Sequence, residues 1–177
     1  MKLTLAQPDH IPALLEIAKD ARIPRTSGVP ENCSEQDVLK WIAAGKSIPP
    51  QEMHFVITMG SETAGCCILK KMDWHKREAE LSYWLGVDFW GKGLGTKAAE
   101  SMCELAFGIL GMNRLVSHYL KKGSAPSGKI LAKLGFTDDG DKEDLPAEGR
   151  FLIEESDVWT FVKLNRSQFI SGRHPAA

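Results

Sequence analysis

Trp90-Gly91-Lys92-Gly93-Leu94-Gly95-Thr96 places three glycines within five residues. An apolar, aromatic run from Leu81 to Val87 precedes it and reads as a strand. A helical pattern from Thr96 to Leu110 follows. Glycines at such a corner let the backbone approach a ligand closely, and the first N–H groups of a helix have no intrahelical acceptor. Those amides and the positive end of the helix dipole favour negative charge. The corner therefore predicts a site for a phosphate-bearing small molecule.

Upstream, Lys2 to Ala6 reads as a strand, and Asp9 as the N-cap of a helix reaching about Ala21. Ile11, Leu14, Leu15 and Ala18 share one face of it. Ile23 to Asn32 reads as a loop. Ser34-Glu35-Gln36-Asp37 is a capping-box-like start for a helix with Val38, Leu39, Trp41 and Ile42 on its apolar face and Gly45 as its stop. Three strands follow, Met53 to Thr58, Thr63 to Lys70 and Glu78 to Val87.

Downstream, the helix after the corner carries Ala98, Ala99, Met102, Leu105, Ala106 and Ile109 on one stripe. Arg114 to Leu120 is a strand, and Ser124 can cap a helix ended by Gly135. Strands are expected over Arg150 to Ile153 and Val158 to Leu164, after a polar loop from Asp138 to Gly149. Consecutive strands should pair antiparallel, while the helix between Val87 and Arg114 permits one parallel pair. The expectation is a single α/β (α+β) domain over residues 1–164, with a mixed, mostly antiparallel sheet and helices on both faces. Residues 165–177 read as a polar, frayed tail.

Composition narrows the function. The 177 residues are 43% hydrophobic and 25% charged, with a formal net charge of -1. No global field favours nucleic acid or an anionic membrane, and no run is long enough to span a bilayer. Cys33, Cys66, Cys67 and Cys103 form no C-x-x-C pair and read as reduced thiols of a cytoplasmic protein. The five histidines lack metal-site spacing, so no metal is expected.

Three site types compete for the glycine corner. Gly86 to Lys92 fits the P-loop spacing G-x-x-x-x-G-K, but Gly93 stands where Ser or Thr must hold magnesium. Gly93 to Ala98 fits the dinucleotide fingerprint of a nucleotide-binding oxidoreductase, yet residues 111 to 121 hold no acidic residue for the ribose. The third is an acyl-coenzyme A site. Trp90-Gly91-Lys92-Gly93-Leu94-Gly95 resembles the [QR]-x-x-G-x-[GA] pyrophosphate loop of the GCN5-related N-acetyltransferases, with Trp90 in the Gln/Arg position. Tyr83-Trp84-Leu85 resembles the strand before that loop in the branch that acetylates ribosomal-protein N-terminal amines. Ser127 and the run Lys133-Leu134-Gly135-Phe136 match its later N-x-x-S and [KR]-x-G-F motifs, with Ser124 where Asn is usual.

The resemblance implies a sheet splayed at its central strands and an acetyl group passing directly from acetyl-CoA to a primary amine. It implies that the amides of Gly91, Lys92, Gly93, Leu94, Gly95 and Thr96 surround the pyrophosphate, with Trp90 and Ser124 as further cofactor-binding residues. Leu85, Gly86 and Val87 would pair with the pantetheine arm and polarise the thioester carbonyl. Glu80 is the candidate general base, Glu148 a second one, and Ser127 a candidate acid for the leaving thiolate and a cofactor contact. The rival readings are a salt-bridged Glu80, a solvated Glu148 and a helix-capping Ser127. The tyrosine that many superfamily members carry on this helix aligns with Leu131, which cannot donate. A catalytically degenerate acyl-CoA-binding sensor is the non-enzyme alternative. The expected partners are acetyl-CoA and an amine acceptor, with neither membrane nor nucleic acid, and a homodimer stays open.

Overall fold

Period-two burial along the central strands sends alternate side chains to two separate cores, and this decides how the helices are layered. The computed structural model describes residues 1–120, 125–140 and 159–173. Its strands are β1 (Lys2–Leu5), β2 (Met53–Met59), β3 (Glu62–Asp73), β4 (Glu78–Leu85), β5 (Arg114–Leu120), β6 (Thr137–Asp138) and β7 (Trp159–Asn165). They form one seven-stranded sheet in the order β1-β2-β3-β4-β5-β7-β6. Among the described residues every pairing is antiparallel except that of β4 with β5. The mixed sheet expected from the crossover helix is present.

Helices α1 (Ile11–Ala18), α2 (Arg22–Thr26) and α3 (Glu35–Ala44) cover one face. Val56, Cys66, Ile68 and Trp84 pack against Leu14, Ile23, Val38 and Ile42 there. Helices α4 (Leu94–Glu104), α5 (Ala125–Lys133) and α6 (Arg166–Arg173) cover the other. Ile57, Cys67, Leu69, Leu81 and Leu115 meet Ala98, Met102, Leu131 and Phe169 in that core. Adjacent Cys66 and Cys67 thus serve opposite cores, as strand alternation requires.

Four local expectations are corrected. Asp9 is no N-cap: Pro8–His10 forms a 3-10 turn closed by the Gln7 N–H on His10 Nδ1 at 3.0 Å, and α1 starts at Ile11. The stretch expected as a loop from Ile23 holds α2, whose Ile23 is buried in the core and supplies the tertiary contact that a propensity reading lacks. The helix after the glycine corner ends in a π turn, Leu105–Ile109, where Leu110 N bonds Leu105 O at 3.0 Å. That wider turn rotates the apolar stripe, so Phe107 is buried and Ile109 is 83% exposed. The tail does not fray at Asn165: α6 follows directly, and Phe169 packs on Phe107 with ring centroids 5.3 Å apart. Residues 150–153, expected as a strand, lie outside the described residues.

The parallel pairing of β4 with β5 ends where Glu80 faces Val116. Beyond it the Ser117 hydroxyl bonds the Leu81 carbonyl at 2.8 Å, and among the described residues no further backbone pairing joins the two strands. β4 stays paired with β3 as far as Leu85 opposite Gly65. The two central strands therefore part in a wedge that opens toward the glycine corner, as the resemblance implied.

Candidate active site

Register fixes which backbone groups face the wedge. Gly86 N–H donates to Ala64 O across the sheet at 2.8 Å. In an antiparallel ladder, residues two apart along the strand share that direction, so Trp84 and Ser82 also bond toward β3. Tyr83 and Leu85 turn their peptide groups the other way, toward the space that β5 leaves. The Leu85 carbonyl is taken by the Trp90 indole Nε1–H at 2.8 Å. Open to the wedge are the Leu85 N–H and the peptide groups of Tyr83. Of the three residues expected to meet the pantetheine arm, Leu85 offers its amide, whereas Gly86 cannot because its amide is bonded. Val87 has left the strand for a 3-10 turn, Val87–Phe89.

The corner itself is built as a cradle. Gly91 and Gly93 have φ of +72° and +74°, a region that glycine alone enters without strain. A Cβ at either would touch nothing within 4 Å, so open space lies in front of both. Gly93 is the N-cap of α4, and the first intrahelical bond runs from Lys97 N to Gly93 O at 3.2 Å. Helix geometry leaves the amides of Leu94, Gly95 and Thr96 without intrahelical acceptors. Gly95 has a second duty: a Cβ there would lie 3.1 Å from Ile130 Cδ1, so it lets α4 and α5 approach. Gly86 is likewise a packing glycine, since a Cβ there would lie 3.0 Å from Ile17 Cγ2. The Lys92 ammonium sits 5.9 Å from the centre of the Phe89 ring.

A cleft of about 430 Å³ joins these parts. The glycine corner and Thr96 form one end, Tyr83 and Leu85 of β4 the inner wall, and Pro126, Ser127, Lys129 and Ile130 of α5 the opposite wall. Phe89 and Trp90 complete the rim, with Trp90 42% exposed. Tyr83 donates its hydroxyl to the Ser127 carbonyl at 3.5 Å. Burial pushes the Tyr83 phenol well above its ordinary pKa of 10.0, so it stays a donor. Ser127 lies on the cleft wall in the first turn of α5. Leu131 is 1% exposed and belongs to the core.

Glu80 occupies the other face of the wedge, with Trp84 and away from Leu81. Its side chain is 6% exposed. Oε2 meets Lys71 Nζ at 2.8 Å, while Oε1 lies 3.5 Å from Lys70 Nζ and 3.6 Å from His118 Nδ1 and accepts no hydrogen bond. The β3–β4 register slips between Lys70 and Asp73, and Lys71 has φ +48°. This bulge lets two consecutive lysines reach one carboxylate, which regular alternation forbids. His118 packs edge-on against Trp159, ring centroids 5.1 Å apart. Two-residue alternation puts Glu80 on that face, but nothing local to β4 shows that His118 lies beside it. Ser124 and Glu148 lie outside the described residues. Among the described residues, no three His, Cys, Asp or Glu are grouped to hold a metal ion, and no helix is long and apolar enough to cross a membrane.

The parted central strands, with the glycine cradle at the mouth of the wedge, are the arrangement that the resemblance implied. Residues 1–137 match the family model for the acetyltransferase (GNAT) domain. The chain belongs to the GNAT acetyltransferase family. Neither a P-loop nor a dinucleotide fold fits, since the glycine corner precedes one parallel pair and not repeated βαβ units. The chain is 30% identical over 112 residues to the uncharacterized N-acetyltransferase p20 of Bacillus licheniformis, across 63% of this chain and 60% of that protein. It is 32% identical over 80 residues to the putative ribosomal N-acetyltransferase YdaF of Bacillus subtilis (strain 168), across 45% of this chain and 43% of that one. The matched stretches thus span between about two fifths and three fifths of these relatives' lengths. In three dimensions the GNAT chain resembles the spermidine N-acetyltransferase from Vibrio cholerae, solved in complex with CoA and spermine. The TM-score is 0.78 at 16% identity, over 96% of this chain and 97% of that one. At that identity the likeness is one of fold.

Proposed function

We propose that this chain is an acetyl-CoA-dependent N-acetyltransferase that moves the acetyl group directly to a primary amine. The observation that carries the reading is the wedge. A GNAT-family chain presents the Leu85 amide and the Tyr83 peptide groups, unpaired, along a cleft that ends on the amides of Gly91 to Thr96. The cradle fits a pyrophosphate and the strand fits a pantetheine arm. Acetyl-CoA, as substrate, supplies the activated thioester.

The residues then divide the work. Leu85 N–H is placed to stabilise negative charge on the thioester oxygen, an effect worth about 3–4 kcal/mol where one such donor is removed. Glu80, held by Lys71 on the opposite face, takes the ammonium proton directly or through water, so that the amine attacks as a neutral nucleophile. A C–N bond forms, the C–S bond breaks, and the thiolate takes a proton. Ser127 stands on the cleft wall in the first turn of α5 and is the candidate donor. Glu148 keeps its place as a second candidate base. A protein N-terminus, a polyamine or another small amine can supply the acceptor, and a reducing cytoplasm suits the four free thiols.

The test is incubation with acetyl-CoA and a panel of N-terminal peptides, polyamines and aminoglycosides, reading free thiol and the acetylated product by mass spectrometry. Acetylation of any amine above the uncatalysed rate supports the reading. Tight acetyl-CoA binding with no thiol release would make the chain a sensor instead.

A further inference from the structure

We infer that Trp90 is a positioning residue that sets the distance between the phosphate cradle and the thioester-facing end of β4. This rests on the acetyl-CoA reading above. Trp90 lies five residues past Leu85, yet its indole N–H returns to the Leu85 carbonyl at 2.8 Å. Between them the chain makes the 3-10 turn Val87–Phe89, closed by Phe89 N on Gly86 O at 2.9 Å and Trp90 N on Val87 O at 3.0 Å. Gly86 is itself pinned to Ala64 and packed against Ile17. The turn is thus fastened at its base by backbone bonds and across its mouth by one side chain.

Two consequences follow for the substrate. The Leu85 carbonyl is occupied, so a pantetheine amide pairs with the Leu85 N–H and the Tyr83 peptide in one register only. The cradle residues Gly91 and Gly93 directly follow Trp90, so the indole bond holds them at a set separation from the Leu85 amide. Anchoring the diphosphate then delivers the thioester carbonyl to its donor. A side chain with 42% exposure would ordinarily contribute little, but this one spans the cleft rim between the two contact zones. Its sequence position is the one where the resembling loop carries Gln or Arg, residues that also donate.

The experiment compares Trp90→Phe with the wild type on two donors, acetyl-CoA and S-acetylpantetheine, which keeps the arm and thioester but has no phosphate to anchor. Phenylalanine retains the ring and loses the N–H. The expected result is a loss of kcat/KM of about 10-fold or more with acetyl-CoA, because small misplacements are costly in a positioned reaction, and of less than about 2-fold with the fragment. Calorimetry with CoA and pantetheine reads the same contrast without turnover, and thermal melting checks the fold. Equal losses on both donors, or none on acetyl-CoA, overturn the inference. If the wild type binds CoA and acetylates no amine, the acetyltransferase reading fails, while the binding contrast still decides this one.

Discussion

Ser117 Oγ donates to the Leu81 carbonyl at 2.8 Å, at the point where β5 leaves β4. Ser117 is buried, and its hydroxyl replaces the ladder bond that the parting strands give up. Ser117→Ala would leave the carbonyl buried without a donor, which costs about 1–3 kcal/mol. For a chain of this size the melting temperature should fall by roughly 2–12 °C. Calorimetry on the variant checks this, and an unchanged melting curve would mean that water satisfies the carbonyl.

The glycines of the cradle are not equivalent. Gly93→Asp faces open space and should fold with a strain cost of about 1–2 kcal/mol for its left-handed backbone. Its carboxylate would oppose the diphosphate and remove detectable acetyl-CoA binding. Gly95→Asp should instead cost stability as well as binding, because Gly95 is buried, a Cβ there would lie 3.1 Å from Ile130 Cδ1, and the carboxylate would enter an apolar contact. Circular dichroism beside a binding titration separates the two outcomes.

Glu80→Gln keeps the shape of the carboxylate and removes its charge. If Glu80 takes the ammonium proton, kcat should drop about 10²-fold or more with acetyl-CoA affinity little changed. Because the variant also deprives Lys71 of its 2.8 Å partner, stability is measured in parallel. A stability loss with kcat intact would reduce Glu80 to an ion-pair residue.

Ser127→Ala should lower turnover more than it lowers acetyl-CoA affinity. The Tyr83 hydroxyl bonds the Ser127 carbonyl and not its side chain, so that contact survives the substitution. Single-turnover kinetics across the amine panel reads the split. Equal activity would leave Ser127 as a wall residue of the cleft.

Burial pushes the Cys66 thiol from its ordinary 9.0 up to about 12 and the Cys33 thiol up to about 11. Raised pKa values mean that the native state keeps protons that the unfolded chain releases above about 9. Stability from these groups is full below that pH and is lost as pH climbs toward 11–12. Melting temperatures should therefore decline above pH 9. Thiol reagents at pH 8 should label Cys66 only on unfolding.

Much of the site could be read along the chain because its signals are local. Glycine spacing before a helix predicts a turn with free helix-start amides, and Tyr83-Trp84-Leu85 with the Ser127 to Phe136 segment orders the motifs around it. The readings that needed correction turned on details that residue propensity and a fixed period do not carry. Asp9 and the Ile23 loop failed because His10 and the buried Ile23 side chain decide those turns. Ile109 failed because one extra residue in the π turn is invisible to a 3.6-residue period.

The sequence by itself determined the order of the strands through β5, the crossover helix that allows one parallel pair and the glycine turn that opens α4. Each follows from dihedral preference and side-chain period within a short window. Only the tertiary structure decided which amides are free. Whether Gly86 or Leu85 offers its N–H depends on a register shared with Ala64, twenty-two residues away. That Glu80 meets Lys70, Lys71 and His118 depends on a bulge in one strand and on the neighbouring strand that follows the crossover. A backbone group can be spoken for by any donor the fold brings near it, and the fold is where those distances are set.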